Sequence, residues 1–524
     1  MDDPIIPEFE MHRADLEESE IEELKGRLAM QGRTNKDRFM LFTDILIEYV
    51  GSSEYVNRSD AFLSMCAKAC FLRGMYGYNQ ILAKNTENLA CRGYAAAAYC
   101  RQSLDPRWLN NLRNITNQSW QAKEYITYAE LSGQLASVLM DLGYAEHAND
   151  VVSESIDKVT LETSQDEDIR HRVQCALLRP RVILAYISGY SGSREESLIR
   201  LDSAHDTAQL MSNKLALSDI QFFRARAYES MLEHDRAMPL VTAALRRYER
   251  MGYLHGVAEA RNLRGVIHLN MGQLQEARDQ FEETLIIQQQ LNNQVGLAAT
   301  LINVGEIDRT LNQLEQMETY NRRALEISQE AEYMRGILVS TVNLGDVEMR
   351  RGNIEKAIER YEEGVRLAEG AGLRQTLALT LFLVGDAQFA MGNLDEAMET
   401  YRRAHKVSQE VVHKLHSLCA EISEVVTSWA KGEEPDTDLL EKVREAMGPL
   451  SEWEKAKDSS LMVDVRRRVL DPETDSDVCV LFDPEKAFEC RYERTELRKE
   501  CFGNLFWKGS LCPYFKEFLT KLAE

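Results

Sequence analysis

The sequence predicts an all-α protein, a solenoid of stacked helix pairs closed by a small mixed cap that carries cysteines. Three observations predict it. Four segments, RNLRGVIHLNMGQLQEARDQFEETL, LINVGEIDRTLNQLEQMETYNRRAL, TVNLGDVEMRRGNIEKAIERYEEGV and LFLVGDAQFAMGNLDEAMETYRRAH, start at Arg261, Leu301, Thr341 and Leu381, a constant spacing of 40 residues. Small residues recur at fixed phases: Gly265, Gly305, Gly345 and Gly385 at one, and Gly272, Asn312, Gly352 and Gly392 seven later. Ala277, Met317, Ala357 and Ala397 follow five after those, among apolar residues at helical spacing such as Leu274, Phe281 and Leu285. A fixed period in this range marks stacked units, none of which can bury its own apolar face.

Each element has a local reason. Residues 1–35 form an acidic, Pro-spaced arm followed by the helix pattern SEIEELKGRLAM, expected to be mobile or to lie along the body. Residues 36–124 read as helical but aperiodic, and the run Ala95 to Ala98 implies close helix contacts there. Cys66 and Cys70, four apart on one helix, read as small buried hydrophobes. The repeat register begins near Tyr125 and spans residues 125–410 in about seven copies. The first three copies carry the small phases as Ala136, Gly143 and Ala148, then Ala185, Gly192 and Ser197, then Ala225, Leu232 and Ala237. In each copy a first helix of about a dozen residues ends at the second small site, where φ > 0 is tolerated. The first small site lies mid-helix, where Gly costs roughly 1 kcal/mol relative to Ala, so another backbone is expected to approach it closely. Residues 411–450 form a degenerate capping repeat broken at Glu434-Pro435, since terminal units must cover an apolar end.

Residues 451–524 leave the pattern. They hold the strand-like VCVLF and four cysteines, Cys479, Cys490, Cys501 and Cys512, each 11 residues apart. Four thiolates could hold zinc or an iron–sulfur cluster, and Pro directly follows the last one. Usual sites bring two ligands within two to four residues, so packing and a redox disulfide stay open beside the metal. The trio His413, His416 and Cys419 lies along one helix and reads as surface.

Composition bounds the function. The chain has 524 residues, 28% of them charged, and only 10 Pro, which suits a helical protein of two or more domains or one capped solenoid. Its net charge of −23 argues against a nucleic-acid partner and favours a basic or mixed one, or simply keeps a large surface soluble. No segment approaches a membrane span, the acidic start lacks a secretory pattern, and ten scattered Cys suggest reduced thiols in a cytoplasm. No phosphate loop, HExxH, nucleophile elbow or dinucleotide fingerprint is present.

The set of small positions resembles the tetratricopeptide repeat (TPR) family, in its long 40-residue form, which includes kinesin light chains, Pins-type polarity scaffolds and several bacterial regulators. It departs at the aromatic usually found three residues after the first Gly, where His268, Asp308, Glu348 and Gln388 stand. The resemblance implies a right-handed superhelix whose first helices line a concave, peptide-binding groove. The residues it places there are Phe222, Phe223, Arg226 and Glu229, then Asn262 and Asn270, then Asn303, Glu306 and Arg309, then Asn343, Asp346 and Arg350, then Phe382, Asp386 and Phe389. Asn303 and Asn343 share one phase, and an Asn amide can pair with a peptide backbone through both donor and acceptor, or cap within its own repeat. Glu306, Asp346 and Asp386 share another and are expected to form an acidic stripe favouring a basic peptide, or a solvated face. Phe222 and Phe223 form an apolar pocket or pack in the core. The expectation is a non-enzymatic scaffold that holds an extended or helical segment of a partner protein. The alternative is a sensor whose four-Cys tail binds metal.

Overall fold

The computed structural model describes residues 6–31 and 37–410 except positions 104, 143, 191–193, 232 and 312, then scattered positions up to 439 and the pairs 482–483 and 489–490. Among them the regular structure is helical apart from a two-residue antiparallel pairing of β1 (Phe482–Asp483) with β2 (Glu489–Cys490).

Seven helices precede the repeats: α1 (Pro7–His12), α2 (Glu18–Gln31), α3 (Arg38–Gly51), α4 (Asp60–Leu72), α5 (Tyr76–Asn85), α6 (Leu89–Gln102) and α7 (Pro106–Gln121). Short polar side chains start several of them. Asp37 accepts from Phe39 N, Ser59 from Phe62 N and Asn88 from Cys91 N. Ala90 and Ala95 to Ala98 on α6 are all buried, which meets the close contact expected of that run.

Seven helix pairs follow. They are α8 (Tyr125–Asp141) with α9 (Ala145–Glu162), α11 (Leu178–Tyr190) with α12 (Arg194–Leu210), and α13 (Lys214–Ser230) with α14 (His234–Met251). Next come α15 (Leu254–Asn270) with α16 (Leu274–Gln290) and α17 (Gln294–Thr310) with α18 (Leu314–Glu330). The last are α19 (Met334–Arg350) with α20 (Ile354–Gly370) and α21 (Arg374–Ala390) with α22 (Leu394–Glu410). The extra helix α10 (Glu167–Ala176) occupies the polar insertion after the first pair. Every helix from α15 to α22 has 17 residues, and the first helices of the pairs are thus longer than the dozen expected because each starts well before its first small residue.

Two turns alternate. Within pairs, Gly272, Gly352 and Gly392 take φ of +73°, +79° and +82°, as their phase predicts. Between pairs a second left-handed position recurs at the same 40-residue step, at Ser212, Gly252, Asn292, Glu332 and Gly372. There the residue after the turn donates back five residues, as Tyr253 N does to Tyr248 O and Tyr333 N to Ser328 O, and it is buried. This double-bonded helix stop satisfies carbonyls the helix end would otherwise leave open.

Gly265, Gly345 and Gly385 are needed for a reason other than the one expected. What stands over them is a ring and not a backbone. A Cβ at each would lie 2.5 Å from Phe281, 2.7 Å from Tyr361 and 2.6 Å from Tyr401, on the second helix of the same pair. Those rings sit 16 positions on and are completely buried. Where the earlier copies carry Ala136, Ala185 and Ala225, the residue 16 on is Val152, Leu201 or Val241, each also completely buried. A small residue plus a ring, or Ala plus an aliphatic, fills the same space.

The chain forms two compact units. The first comprises Met1–Ile267, Gln275–Thr300 and Ile327–Tyr333, the second His268–Leu274, Leu301–Glu326 and Met334–Glu524. In the first, the helices before the repeats sit against the starts of the repeats' first helices. Phe39 and Leu72 share a core with Tyr248, Tyr253 and Val257.

Candidate functional site

In the second unit the first helix of each pair carries the residues singled out by phase. Asn303 and Asn343 are both half-buried. Asn343 Nδ2 donates to Asn321 Oδ1 at 2.9 Å, and Asn321 Nδ2 in turn donates to Met317 O at 2.8 Å. Asn321 occupies the site where the other late copies have Phe281, Tyr361 or Tyr401. A buried amide without partners would cost about 1–3 kcal/mol, so Asn321 replaces the ring over Gly305 with an amide that Asn343 of the next pair and Met317 O satisfy.

Charged groups gather beside them. Arg309, with a side chain only 2% exposed, grips half-buried Glu306, its Nε 2.8 Å from each carboxylate oxygen. Arg350 Nη1 donates to Arg309 O at 3.3 Å. Asp346 is 1% exposed and accepts from Tyr361 Oη at 2.6 Å. Burial raises its carboxyl pKa to about 6, against the opposing pull of Arg309 and of the Tyr361 hydrogen bond. Asp386, 2% exposed, accepts from Tyr401 Oη at 2.7 Å. Of the three acidic residues at one phase, Glu306 is therefore the accessible one, and the other two carboxylates are engaged by the second helix of their own pair. Phe382 and Phe389 are buried in the core.

In the first unit, Phe222 is buried and Phe223 half-buried, with rings edge to face at 5.1 Å. Phe223 also meets Tyr186 at 5.1 Å. Arg226 stacks 4.5 Å over the Tyr186 ring and donates from Nη2 to Tyr186 Oη at 2.8 Å. The cluster is an aromatic shelf holding a guanidinium, a favourable cation–π arrangement. Asn262 is half-buried on α15. Tyr186 and Asn321 were missed in the sequence. Phase was the signal for both: Asn321 stands 16 after Gly305, and Tyr186 directly follows Ala185, 40 residues before Arg226 and at the phase of Glu306, Asp346 and Asp386.

Cys479, Cys501, Cys512 and the trio His413, His416 and Cys419 lie outside the described residues, and Cys490 is placed only through its backbone pairing with Phe482. Among the described residues no group of three or more His, Cys, Asp or Glu side chains is arranged to hold a metal ion. No described helix is long and apolar enough to cross a membrane.

Comparison with known proteins agrees with this repeat architecture. The family model described as the MalT-like TPR region matches residues 218–462. Over those residues the chain matches a tetratricopeptide repeat region, and its helix pairs have that fold. A Rap protein crystallised with Competence and Sporulation Factor is similar at 15% identity, with 65% of this chain and 92% of that chain covered and a TM-score of 0.50. Two further solved structures resemble it. One is the apo quorum sensor NprR from B. thuringiensis, at 13% identity, 74% and 99% coverage and a TM-score of 0.43. The other is aspartyl phosphate phosphatase F from Bacillus subtilis, at 14%, 65% and 88%, and 0.41. No curated protein sequence matches the chain.

Proposed function

We propose that this chain is a non-enzymatic scaffold that holds a peptide segment of a partner protein against the first helices of its repeats. The observation that carries the reading is the pair Asn303 and Asn343, half-buried at one phase on successive first helices. With its amide nitrogen held by Asn321, Asn343 offers its oxygen to a peptide N–H. The carbonyl and N–H of an extended strand need partners whatever its sequence, so two such amides give affinity and leave selectivity to their neighbours. Half-buried Glu306 beside them favours a basic residue in the segment. The fold supports the reading as well, since the Rap protein that shares it was crystallised with Competence and Sporulation Factor. Asn262, Arg226, Phe222 and Phe223 would make peptide contacts of the first unit's own, and Arg309, Asp346 and Asp386 would hold the second unit's surface in shape.

A peptide array probed with the purified protein tests this. Binders should be enriched in Lys and Arg, and Asn303→Ala/Asn343→Ala should weaken the best by about tenfold or more, about 1.4 kcal/mol. Equal binding by the two proteins would remove the groove assignment.

A further inference from the structure

A second candidate site lies wholly within the first unit, independent of the asparagine pair. A cleft of about 610 Å³, counting its open mouth, is lined by α4, α6, α8, α10, α11 and α13. Leu72, Leu178, Val182 and Leu215 give it apolar walls, and Lys68, Glu130, Arg179 and Asp219 bring two ion pairs into it.

The hydrogen-bond inventory of those charged groups is lopsided. Glu130 accepts from Lys68 Nζ at 2.6 Å and from Tyr94 Oη at 2.9 Å. Asp219 accepts from Arg179 Nη1 at 2.9 Å and from Tyr248 Oη at 2.6 Å. Both carboxylates are thus occupied, each by one cation and one phenol. Arg179 is not so fully used. Among the described residues its Nη2 reaches only Ser137 Oγ, at 3.3 Å, and its Nε is buried without an acceptor. Nε and Nη2 form the side edge of the guanidinium, which holds a carboxylate by two parallel bonds. A guanidinium N–H left buried and unpaired is costly, so the edge is pre-set for an acceptor. The backbone also makes room for it: a Cβ on Gly133 of α8 would stand 2.8 Å from Arg179 Cγ.

We propose that this cleft binds a carboxylate joined to an apolar group, with the acid on the Nε/Nη2 edge of Arg179 and the apolar part against Leu178, Val182 and Leu215. An amine would meet carboxylates already occupied, whereas an acid meets a donor edge that is open. A small carboxylic acid and the C-terminal residue of a peptide share this chemistry.

Cys175 provides the readout, because it lines the same cleft half-exposed while Cys66, Cys70, Cys91 and Cys100 are buried. Alkylation of the full-length protein, mapped at Cys175 by mass spectrometry, would be timed with N-acetyl-leucine, N-acetyl-leucinamide, and a short peptide ending in leucine as free acid and as amide. The acids should slow alkylation saturably and the amides at least about tenfold less well. Arg179→Lys, which keeps the charge and loses the fork, should abolish the difference between acid and amide, and Gly133→Ala should weaken it. Protection by N-acetyl-leucine alone assigns the cleft to small acids, and protection by the peptide acid admits a chain terminus. Equal protection by acid and amide, or none by any probe, overturns the proposal, and these wild-type arms decide it even if a variant fails to fold.

Discussion

Asp346 is a carboxylate that this fold keeps at a cost. It is buried under Tyr361, and its pKa stands near 6 where the ordinary value is 3.8. The folded protein therefore holds the Asp346 proton more tightly than the unfolded chain does. The associated stability is complete below the unfolded value and is lost as pH rises through the folded one, between about pH 4 and pH 6. A shift of two units is worth about 3 kcal/mol. Asp346→Asn keeps an acceptor for the Tyr361 hydroxyl and removes the titration. Thermal melts should show the variant more stable than wild type at pH 8 and little different at pH 4. Equal melting at both pH values would mean that Arg309 and Arg350 already neutralise the carboxylate. Single positions also mark what the sequence kept out of view. Ser212, Asn292 and Glu332 take φ of +52°, +49° and +55° at the step where Gly252 and Gly372 stand. The period there belongs to the backbone and not to the residue type, so the second turn left no trace in the letters. The acidic phase of Glu306, Asp346 and Asp386 was legible, but its exposure was not, since burial of the last two depends on Tyr361 and Tyr401 fifteen residues on.

At the scale of the element, a helix pair is specified by one contact more than by overall apolarity. The mid-helix glycine and the residue 16 later divide one volume between them. Gly265 with Phe281, Gly345 with Tyr361 and Gly385 with Tyr401 are one solution, and Ala225 with Val241 is another. The phases of the small residues showed the register and the pairing at once. Their partners were hidden because ring, aliphatic and amide alternate at that position. The exchange can be tested at Gly265, whose partner Phe281 is completely buried and has no polar atom to strand. Gly265→Ala places a methyl 2.5 Å from the ring and should cost about 1–3 kcal/mol. Phe281→Val should cost about 3 kcal/mol through the cavity it leaves. The double variant recreates the pairing of Ala225 with Val241, so its loss should fall below the sum of the single losses by about 1 kcal/mol or more. Urea midpoints with unchanged slopes would measure it, and strict additivity would show that the two residues do not share the space.

For the molecule as a whole, the question is what the aperiodic N-terminal helices add to a repeat array that buries most of its own core. Periodicity could not answer it, because the contacts fall on residues that recur nowhere else. The first unit shows those helices seated on the between-pair turns. Asp37 meets Lys214 Nζ at 3.1 Å, Arg73 lies against Gly252, and Arg101 reaches His255, both of the latter buried. His255 must be neutral to accept from Arg101, and its burial together with the charges of Arg101 and Arg179 holds its pKa well below the ordinary value. Gly74 is the tightest point of the seat. It takes φ of +69°, and a Cβ there would lie 2.2 Å from Leu291 Cδ2 and 3.8 Å from Leu254 Cδ1. Any side chain at 74 therefore meets both backbone strain and a clash with the turn before α17. Gly74→Ala should cost about 1–3 kcal/mol, and the loss should appear where the seat is and not throughout the chain. Hydrogen exchange should quicken at the start of α15, over Leu254 to Val257, and leave α19 to α22 as in wild type. If the start of α15 kept its protection while the protein melted earlier, the N-terminal helices would be a separate load on stability, and the turns would hold their shape without them.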